Sequence, residues 1–433
     1  MKKRYFKGMI RLIIVSIAVT ACVLGVTLIL KGYDIKINDN NLYWSIQYKG
    51  LEGARDFVSD NQGNFYVAFK DKILLISNKG DTKYIVKSKK YDISTLSWSH
   101  DNVFFISQKF LYKIDVKNKK ITELMKDLPV SYAHKPIMRL YNDKLYIAIG
   151  SSTNSGVAEK GEKQDILPYT ITSKGKIFGE AKTGAFMSYG ENVEEGSKIK
   201  GKGIGNASVL IYDLKKNSYN TMAWGIRSVE GMEFNSMGNL IAAVSGMENK
   251  GLRPIKGDND YIYIIRDGSW YGWPDYSGGD PVESPRFLGI DDTRVAFVMD
   301  NHPTTNPPAP MYIHKYLSSI KMLTVDKDGY LGKKDFIYFF DSTAKKIYTL
   351  NKKGAVTEFA KLGIASDIAS MKFIDEKLYL LDRKNGNVIS IGTEDNKVII
   401  KNRKAFILLA TIFISVLILL KVLYENLKNK HNK

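Results

Sequence analysis

Six times along its length this chain repeats one local pattern, a turn rich in Asn, Asp and Gly followed by a short strand of apolar or alternating residues. The units read NQGNFYVAFKDKILLIS, HDNVFFISQKFLYKID, YNDKLYIAIGSSTNSG, MGNLIAAVSG with DNDYIYIIRDG, KKDFIYFFDSTAKKIYTL, and DEKLYLLDRKNGNVISI. Each turn signal reverses the chain between strands, so each unit is a small antiparallel sheet, and repetition of such units marks an array of sheets. Their anchor strands begin near Phe65, Val103, Leu145, Leu240, Phe336 and Leu378. Three of the five intervals match one four-stranded sheet of about 40 residues, and two are about double that length and hold insertions. Radial packing of such sheets buries both faces and leaves only short protected edges. The expected fold is therefore all-β, a six-bladed β-propeller over about residues 40–396. A β-sandwich or a pair of sandwiches is the alternative, because periodicity does not fix closure.

The two ends differ from this pattern. Leu12 to Leu30 is a continuous uncharged apolar run, and Ala405 to Leu420 is a second, extended through Lys421 to Tyr424. At 1.5 Å per residue each is long enough to cross most of a hydrocarbon core of about 30 Å. Transmembrane helices are expected over 12–32 and 405–424. Lys2, Lys3, Arg4, Lys7 and Arg11 crowd the segment 1–11, and Lys428, Lys430 and Lys433 lie in the tail 425–433. By the positive-inside rule both ends are cytoplasmic and the large domain lies outside the cytoplasm, at a bacterial-type cell membrane. A cleaved signal is the alternative for the first run, since Val19-Thr20-Ala21-Cys22 also fits a lipoprotein cleavage box.

The formal charge of +19 is not a nucleic-acid signature once it is located. Residues 1–11 hold five Lys/Arg and no acid, and residues 401–433 hold seven against one Glu, leaving +8 for the rest. A mildly basic exodomain facing anionic lipid or cell wall accounts for that, and no nucleic-acid partner is expected. The single cysteine, Cys22, lies in the first apolar run, so the exodomain has neither a disulfide nor a thiolate metal site. No Walker loop, His-Glu-x-x-His helix or Gly-x-Ser-x-Gly elbow occurs, which removes the usual NTPases, zinc proteases and serine hydrolases. Ser151 to Gly203 is rich in Gly, Lys, Glu and Ser, and a mobile insertion is expected around 157–203.

Four blocks carry a resemblance. They are HKPIMRLYNDKLYIAIGSSTNSGV from His134, WGIRSVEGMEF through SWYGWPDYSGGDP from Trp224, HPTTNPPAPMYIHKYLSSIKML from His302, and DIASMKFIDEKLYLLD, a generic closing-blade pattern. In order and spacing they resemble the glucose/sorbosone dehydrogenase family, six-bladed propellers that hold pyrroloquinoline quinone (PQQ) beside a sugar. The likeness covers roughly residues 130–390, and Tyr-Gly-Trp-Pro-Asp-Tyr-Ser-Gly-Gly is its most specific part. It implies a quinone-dependent sugar oxidoreductase, or a non-catalytic descendant binding a carbohydrate or related polar ligand.

The resemblance implies His134 as the base that takes a hydroxyl proton, a task suited to an imidazole. It implies Arg227 and Ser228 against the cofactor, Lys345 or Lys346 as the cofactor lysine, and Thr153 and Asn154 at the channel mouth. Calcium would be held by backbone carbonyls around Gly246 and Met247, which hard cations accept. Each residue also has a plain structural reading: a histidine before a strand, a salt-bridged arginine, an Asn-anchored turn, a tight Gly turn. Trp270, Tyr271, Trp273 and Tyr276 are either a stacking platform or aromatics packed between blades. Two departures from the family stand out. Ser228 replaces the usual Asn, and GIASDIASMKF, residues 363–373, lacks the late arginine pair. The rival reading is an NHL-type interaction scaffold, for which DFVSDNQGNFYVAFKDKILLISNKG is a fair match, with the two helices as contacts for membrane protein partners. A cofactor site should gather His134, Arg227 and the Gly246 loop at one mouth, whereas a scaffold can place them apart.

Overall fold

A computed structural model describes residues 35–131 and 133–393, nearly all within one compact unit, Lys36–Asp395. The segments 1–11, 12–32, 405–424 and 425–433 lie outside the described residues. Among the described residues no helix is long and apolar enough to cross a membrane.

Antiparallel four-stranded sheets follow one another as blades. Blade 1 is Asp56–Ser59, Phe65–Ala68, Lys72–Ile76 and Thr82–Lys87, and blade 2 is Ile93–Ser99, Asn102–Ser107, Phe110–Asp115 and Ile121–Met125. Blade 3 is Ile137–Tyr141, Lys144–Ile149, Ser208–Asp213 and Ser218–Trp224. Blade 4 is Val229–Phe234, Leu240–Val244, Asp260–Ile265 and Tyr312–His314. Blade 5 is Ile320–Asp326, Phe336–Asp341, Lys346–Leu350 and Val356–Leu362, with Ile35–Ile37 added at its edge. Blade 6 is Ile368–Ile374, Lys377–Asp382, Asn387–Gly392 and, outermost, Tyr43–Tyr48 from the other end of the sequence.

The first strand of each blade contacts the first strand of the next, and that of blade 6 returns to that of blade 1, so the ring is closed. This settles the choice between propeller and sandwich. Closure is sealed where Tyr43 pairs with Gly392 and Trp44 with Ile391, and Gln47 Nε2 donates to Ser390 Oγ at 2.8 Å. The anchor strands of the sequence are the second strands of the six blades. They lie between two neighbours within a sheet and between two sheets, which is why Phe65–Ala68 and Leu240–Val244 are buried at every position. Each large apolar side chain among them contributes about 1.5–3 kcal/mol on burial. At the hairpin after Ile137–Tyr141, Asn142 and Asp143 both take positive φ, 49° and 56°, as a two-residue I′ turn requires.

Buried carboxylates stitch the blades around the axis. Asp56 accepts from Thr95 Oγ1 at 3.0 Å and Leu96 N at 2.8 Å in blade 2, and from Ser370 Oγ at 2.7 Å and Lys372 Nζ at 2.8 Å in blade 6. Asp260 accepts the N–H groups of Ser318, Ser319 and Ile320 at 2.8, 2.8 and 2.9 Å, tying blade 4 to blade 5.

Two insertions form a layer of their own. Residues 157–203, expected to be a mobile loop, instead carry two small hairpins, Ile171–Lys174 with Glu195–Ile199 and Ile177–Phe178 with Thr183–Gly184. Their apolar residues Leu167, Ile171, Ala185 and Phe186 pack with Trp224, Met247, Trp270, Trp273 and Tyr276 in one buried cluster. The partners come from the end of blade 3 and from the loops of blade 4, which local composition could not reveal.

Candidate functional site

At the centre of the ring lies a cavity of ≈ 660 Å³ walled by all six blades, with Arg55, Thr95, Arg139, Arg227, Lys321 and Arg383 each contributed by a different one. His134, Thr153, Asn154 and Ser228 also line it. Residues as far apart in sequence as His134 and Arg227 thus meet at one mouth.

His134 sits on the approach to the first strand of blade 3, packed so tightly on Gly150 that a Cβ there would lie 2.5 Å from the His134 Cβ. Its Nδ1 is 2.9 Å from Ser228 Oγ, and Ser228 Oγ donates to Glu230 Oε1 at 2.9 Å. A hydroxyl has one proton to give, so Ser228 must accept from Nδ1, which fixes the neutral tautomer with its lone pair on Nε2. Burial first, then the charges of Arg227 and Lys321, push the imidazole pKa down to about 4. Among the described residues Nε2 has no hydrogen-bond partner. His134 is therefore an oriented, uncharged base in the cavity wall. Glu230 was not foreseen, although Ser228 and Glu230 at i and i+2 project to one side of an extended chain.

The other expected contacts are engaged within the chain. Arg227 is buried, its Nε donates to Asn154 O at 3.1 Å, and its guanidinium lies 3.7 Å from the Glu248 carboxylate. Burial alone would raise the Glu248 pKa, but Lys250, Arg227 and Ser318 hold it below the usual carboxylate range. Asn154 Nδ2 donates to Glu248 O at 2.7 Å and its Oδ1 accepts from Glu248 N at 2.8 Å, clamping the blade 3 insertion to the blade 4 loop. Thr153 Oγ1 donates to Asp165, a carboxyl that also accepts from Ser152 N and Asn206 Nδ2 and whose pKa burial pushes up to about 6.

Lys345 is not among the cavity-lining residues, and its ammonium donates to Ser366 O at 3.0 Å. The Gly246 turn adjoins the cavity only through Ser245. A Cβ on Gly246 would lie 2.2 Å from Asn259 O, and Met247 donates its N–H to Asp258 at 2.6 Å and is buried in the apolar layer. That is the tight glycine turn of the plain structural reading. Among the described residues no group of three or more His, Cys, Asp or Glu is placed to hold a metal ion.

The aromatic segment is structural packing. Trp270, Tyr271, Trp273 and Tyr276 are all buried; Trp273 Nε1 donates to Asn154 O at 3.1 Å and Tyr271 Oη to Ile264 O at 2.6 Å. Behind them Asp275 receives Arg253 at 2.9 Å, His302 Nε2 at 2.9 Å and the N–H groups of Val298 and Met299. Arg253 in turn donates to Ser155 O at 2.8 Å and Pro274 O at 3.0 Å, bracing the Thr153–Asn154 turn at the mouth.

No family model matches the sequence, and no curated protein matches it. Solved structures do match. Iodide and calcium structures of the Trichoderma reesei member of carbohydrate-active enzyme family AA12 superpose with TM-scores of 0.58 and 0.57, at 12% identity over 84% of this chain and 98% of theirs. The holo PQQ domain of pyranose dehydrogenase from Coprinopsis cinerea gives 0.54, at 13% identity over 83% of this chain and 97% of its own. The PQQ-bound aldose sugar dehydrogenase of Streptomyces coelicolor gives 0.50, at 12% identity over 83% and 98%. The fold is that of the PQQ-dependent sugar dehydrogenase propellers. At these identities the likeness is one of fold, and chemistry has to be argued from the side chains present.

An anionic quinone needs cationic and hydrogen-bonding groups directed at it. In this cavity Arg227 faces Glu248, Ser228 serves His134, Thr153 serves Asp165, and Lys345 lies elsewhere. The residues that the sequence offers as quinone contacts do not fit the group as they stand.

Proposed function

We propose that this chain is a propeller of sugar dehydrogenase type that binds a carbohydrate or related polar ligand in its central cavity and does not carry PQQ. The observation behind this reading is the internal pairing of Arg227, Ser228, Thr153 and Lys345 within the chain. Freeing several charge-assisted or polar bonds, at about 1.5–3 kcal/mol for each charged one, would weaken any quinone complex by orders of magnitude. A polyol asks less, because hydroxyl groups both donate and accept and so match the mixed wall of His134, Ser94, Ser152 and Glu162. The convergence of His134 and Arg227 on one cavity favours a ligand site over an NHL-type scaffold.

A second reading, a divergent quinone-dependent sugar oxidoreductase, is favoured by one observation, the neutral His134 oriented through Ser228 and Glu230. Such an imidazole is suited to accept a hydroxyl proton at Nε2. The two readings separate in one experiment on the full-length, detergent-solubilised chain with calcium and PQQ. The expected result is no calcium-dependent quinone binding and no sugar oxidation, with thermal stabilisation by a sugar that weakens in His134→Gln. Tight calcium-dependent PQQ binding with turnover would transfer the assignment to the oxidoreductase.

We also propose that the propeller is tethered at the outer face of a cell membrane by helices over 12–32 and 405–424, which lets those helices meet membrane protein partners. The apolar runs and the five basic residues before the first of them support this. Trypsin added to intact protoplasts is expected to cut at the exposed Lys160 and Lys163 in the blade 3 insertion. Protection of these sites until the cells are lysed would reverse the topology.

A further inference from the structure

Beside His134 the cavity wall holds a cluster of cations that the reading above leaves unused. Lys135 is the next residue along the chain, and it shares the cavity with Arg55 at the entry to blade 1 and Arg383 after the second strand of blade 6. Three separate parts of the ring thus direct positive charge into one cavity, close enough for Arg55 and Arg383 to repel Lys135. Arg55 uses one terminal nitrogen for Asp92 and for Ile93 O at 2.7 Å. Arg383 uses Nε and one terminal nitrogen for Asp367, at 2.9 and 2.7 Å. A guanidinium has five N–H donors, so both keep donors that no described residue accepts. Among the described residues the Lys135 ammonium has no hydrogen bond and no ion pair.

Placing three cations together costs free energy unless something of opposite sign neutralises them, and Asp92 and Asp367 are two carboxylates against three. Lys135 registers the imbalance. Burial first, and then repulsion from Arg55 and Arg383, lower its pKa, opposed only by Asp92.

We propose that Arg55, Lys135 and Arg383 form a subsite for an oxyanion carried by the sugar-type ligand, a carboxylate or phosphate group, so that the natural ligand is an acidic rather than a neutral carbohydrate. This rests on the reading of the cavity as a carbohydrate site. The guanidinium forks match the planar or tetrahedral oxygens of such a group, and Lys135 supplies a point charge. Because His134 and Lys135 are consecutive and line the same cavity, one monosaccharide can place its acidic group on the cluster and a hydroxyl near the imidazole.

The test measures binding to the full-length, detergent-solubilised chain at low salt, with D-glucuronate, D-glucose, inorganic phosphate and PQQ as separate probes. Glucuronate is expected to bind about tenfold or more tighter than glucose, with phosphate competing, since each charged contact is worth about a decade in affinity. Lys135→Gln, which breaks no hydrogen bond or ion pair among the described residues, is expected to remove that advantage and leave glucose binding unchanged. Equal affinity for the two sugars, or an advantage that survives both Lys135→Gln and Arg55→Gln, would overturn the subsite. If Lys135→Gln weakens PQQ but not glucuronate, the cluster belongs to a quinone and the proposal also falls. If glucuronate and phosphate bind in a Lys135-dependent way while no sugar is oxidised with any quinone, the subsite stands and the oxidoreductase reading fails. If neither sugar nor phosphate binds, the subsite and the carbohydrate reading fail together.

Discussion

Asp275→Ala is expected to cost the propeller about 3–5 kcal/mol, because it leaves Arg253 buried without its counter-charge. The Asp275 side chain is 0% exposed and that of Arg253 is 2% exposed, so water cannot replace the lost carboxylate. Three further groups lose their acceptor at the same time, His302 Nε2 and the N–H groups of Val298 and Met299. Arg253 would keep three carbonyl partners, Ser155, Pro274 and Ala296, but carbonyls do not cancel its charge. Asp275→Asn keeps the acceptor oxygen and is expected to cost less. Urea unfolding of the two variants against the wild type measures both. A loss below about 1 kcal/mol in the alanine variant would mean that the aromatic layer holds its shape without this ion pair.

Acidification is expected to destabilise the wild type more than His134→Gln, and the sign follows from the burial of the imidazole. In the fold His134 titrates near about 4, whereas an unfolded histidine titrates near about 6.5. Between those values the unfolded chain binds a proton that the native state does not, so stability falls as pH drops through this window. At pH 4.5 the contribution is about 2–3 kcal/mol. Glutamine can still donate to Ser228 but does not titrate. Denaturant midpoints at about pH 7.5 and 4.5 for both proteins isolate the difference, since the buried carboxylates titrate alike in each. Equal losses would remove His134 as the source.

The six anchor strands near Phe65, Val103, Leu145, Leu240, Phe336 and Leu378 were legible because a second blade strand is enclosed on every side and so reads as an apolar run after a turn. The count of six followed, and the insertions fell where two spacings doubled. Closure was not legible. Nothing near Tyr43 states that its partner is Gly392, because pairing across such a separation leaves no local periodic signal. The hairpins of the insertion were not legible for the same reason, since Leu167 and Phe186 look sparse until Trp270 and Trp273 are brought against them.

For the site, the family resemblance pointed to His134, Arg227, Ser228, Thr153 and Asn154, and the structure lines one cavity with all five. Sequence could not say what else those side chains would touch. Glu248 opposite Arg227, Asp165 beneath Thr153 and Glu230 behind Ser228 decide whether a group is free for a ligand. Only Glu230 left a trace in the sequence, as the second member of an alternating pair. Lys345 shows the limit of borrowing a role without a motif, since neither it nor its neighbours Ala344 and Lys346 line the cavity and its ammonium donates to Ser366 O.

The outermost strand of blade 6 is made early, just after Ile35–Ile37, and paired last. A ribosome releasing about 5–20 residues per second delivers Tyr43–Tyr48 many seconds before Asn387–Gly392 exists. Through that interval blades 1 to 5 can assemble in turn from local contacts, while one amphipathic edge strand waits with its backbone donors and acceptors open, a template for pairing with another chain. The last step joins residues from opposite ends of the domain and carries the largest loop-closure cost of any strand pairing among the described residues. Folding yield in this protein should therefore depend on how well Tyr43–Tyr48 is shielded during synthesis, more than on the strength of any single blade.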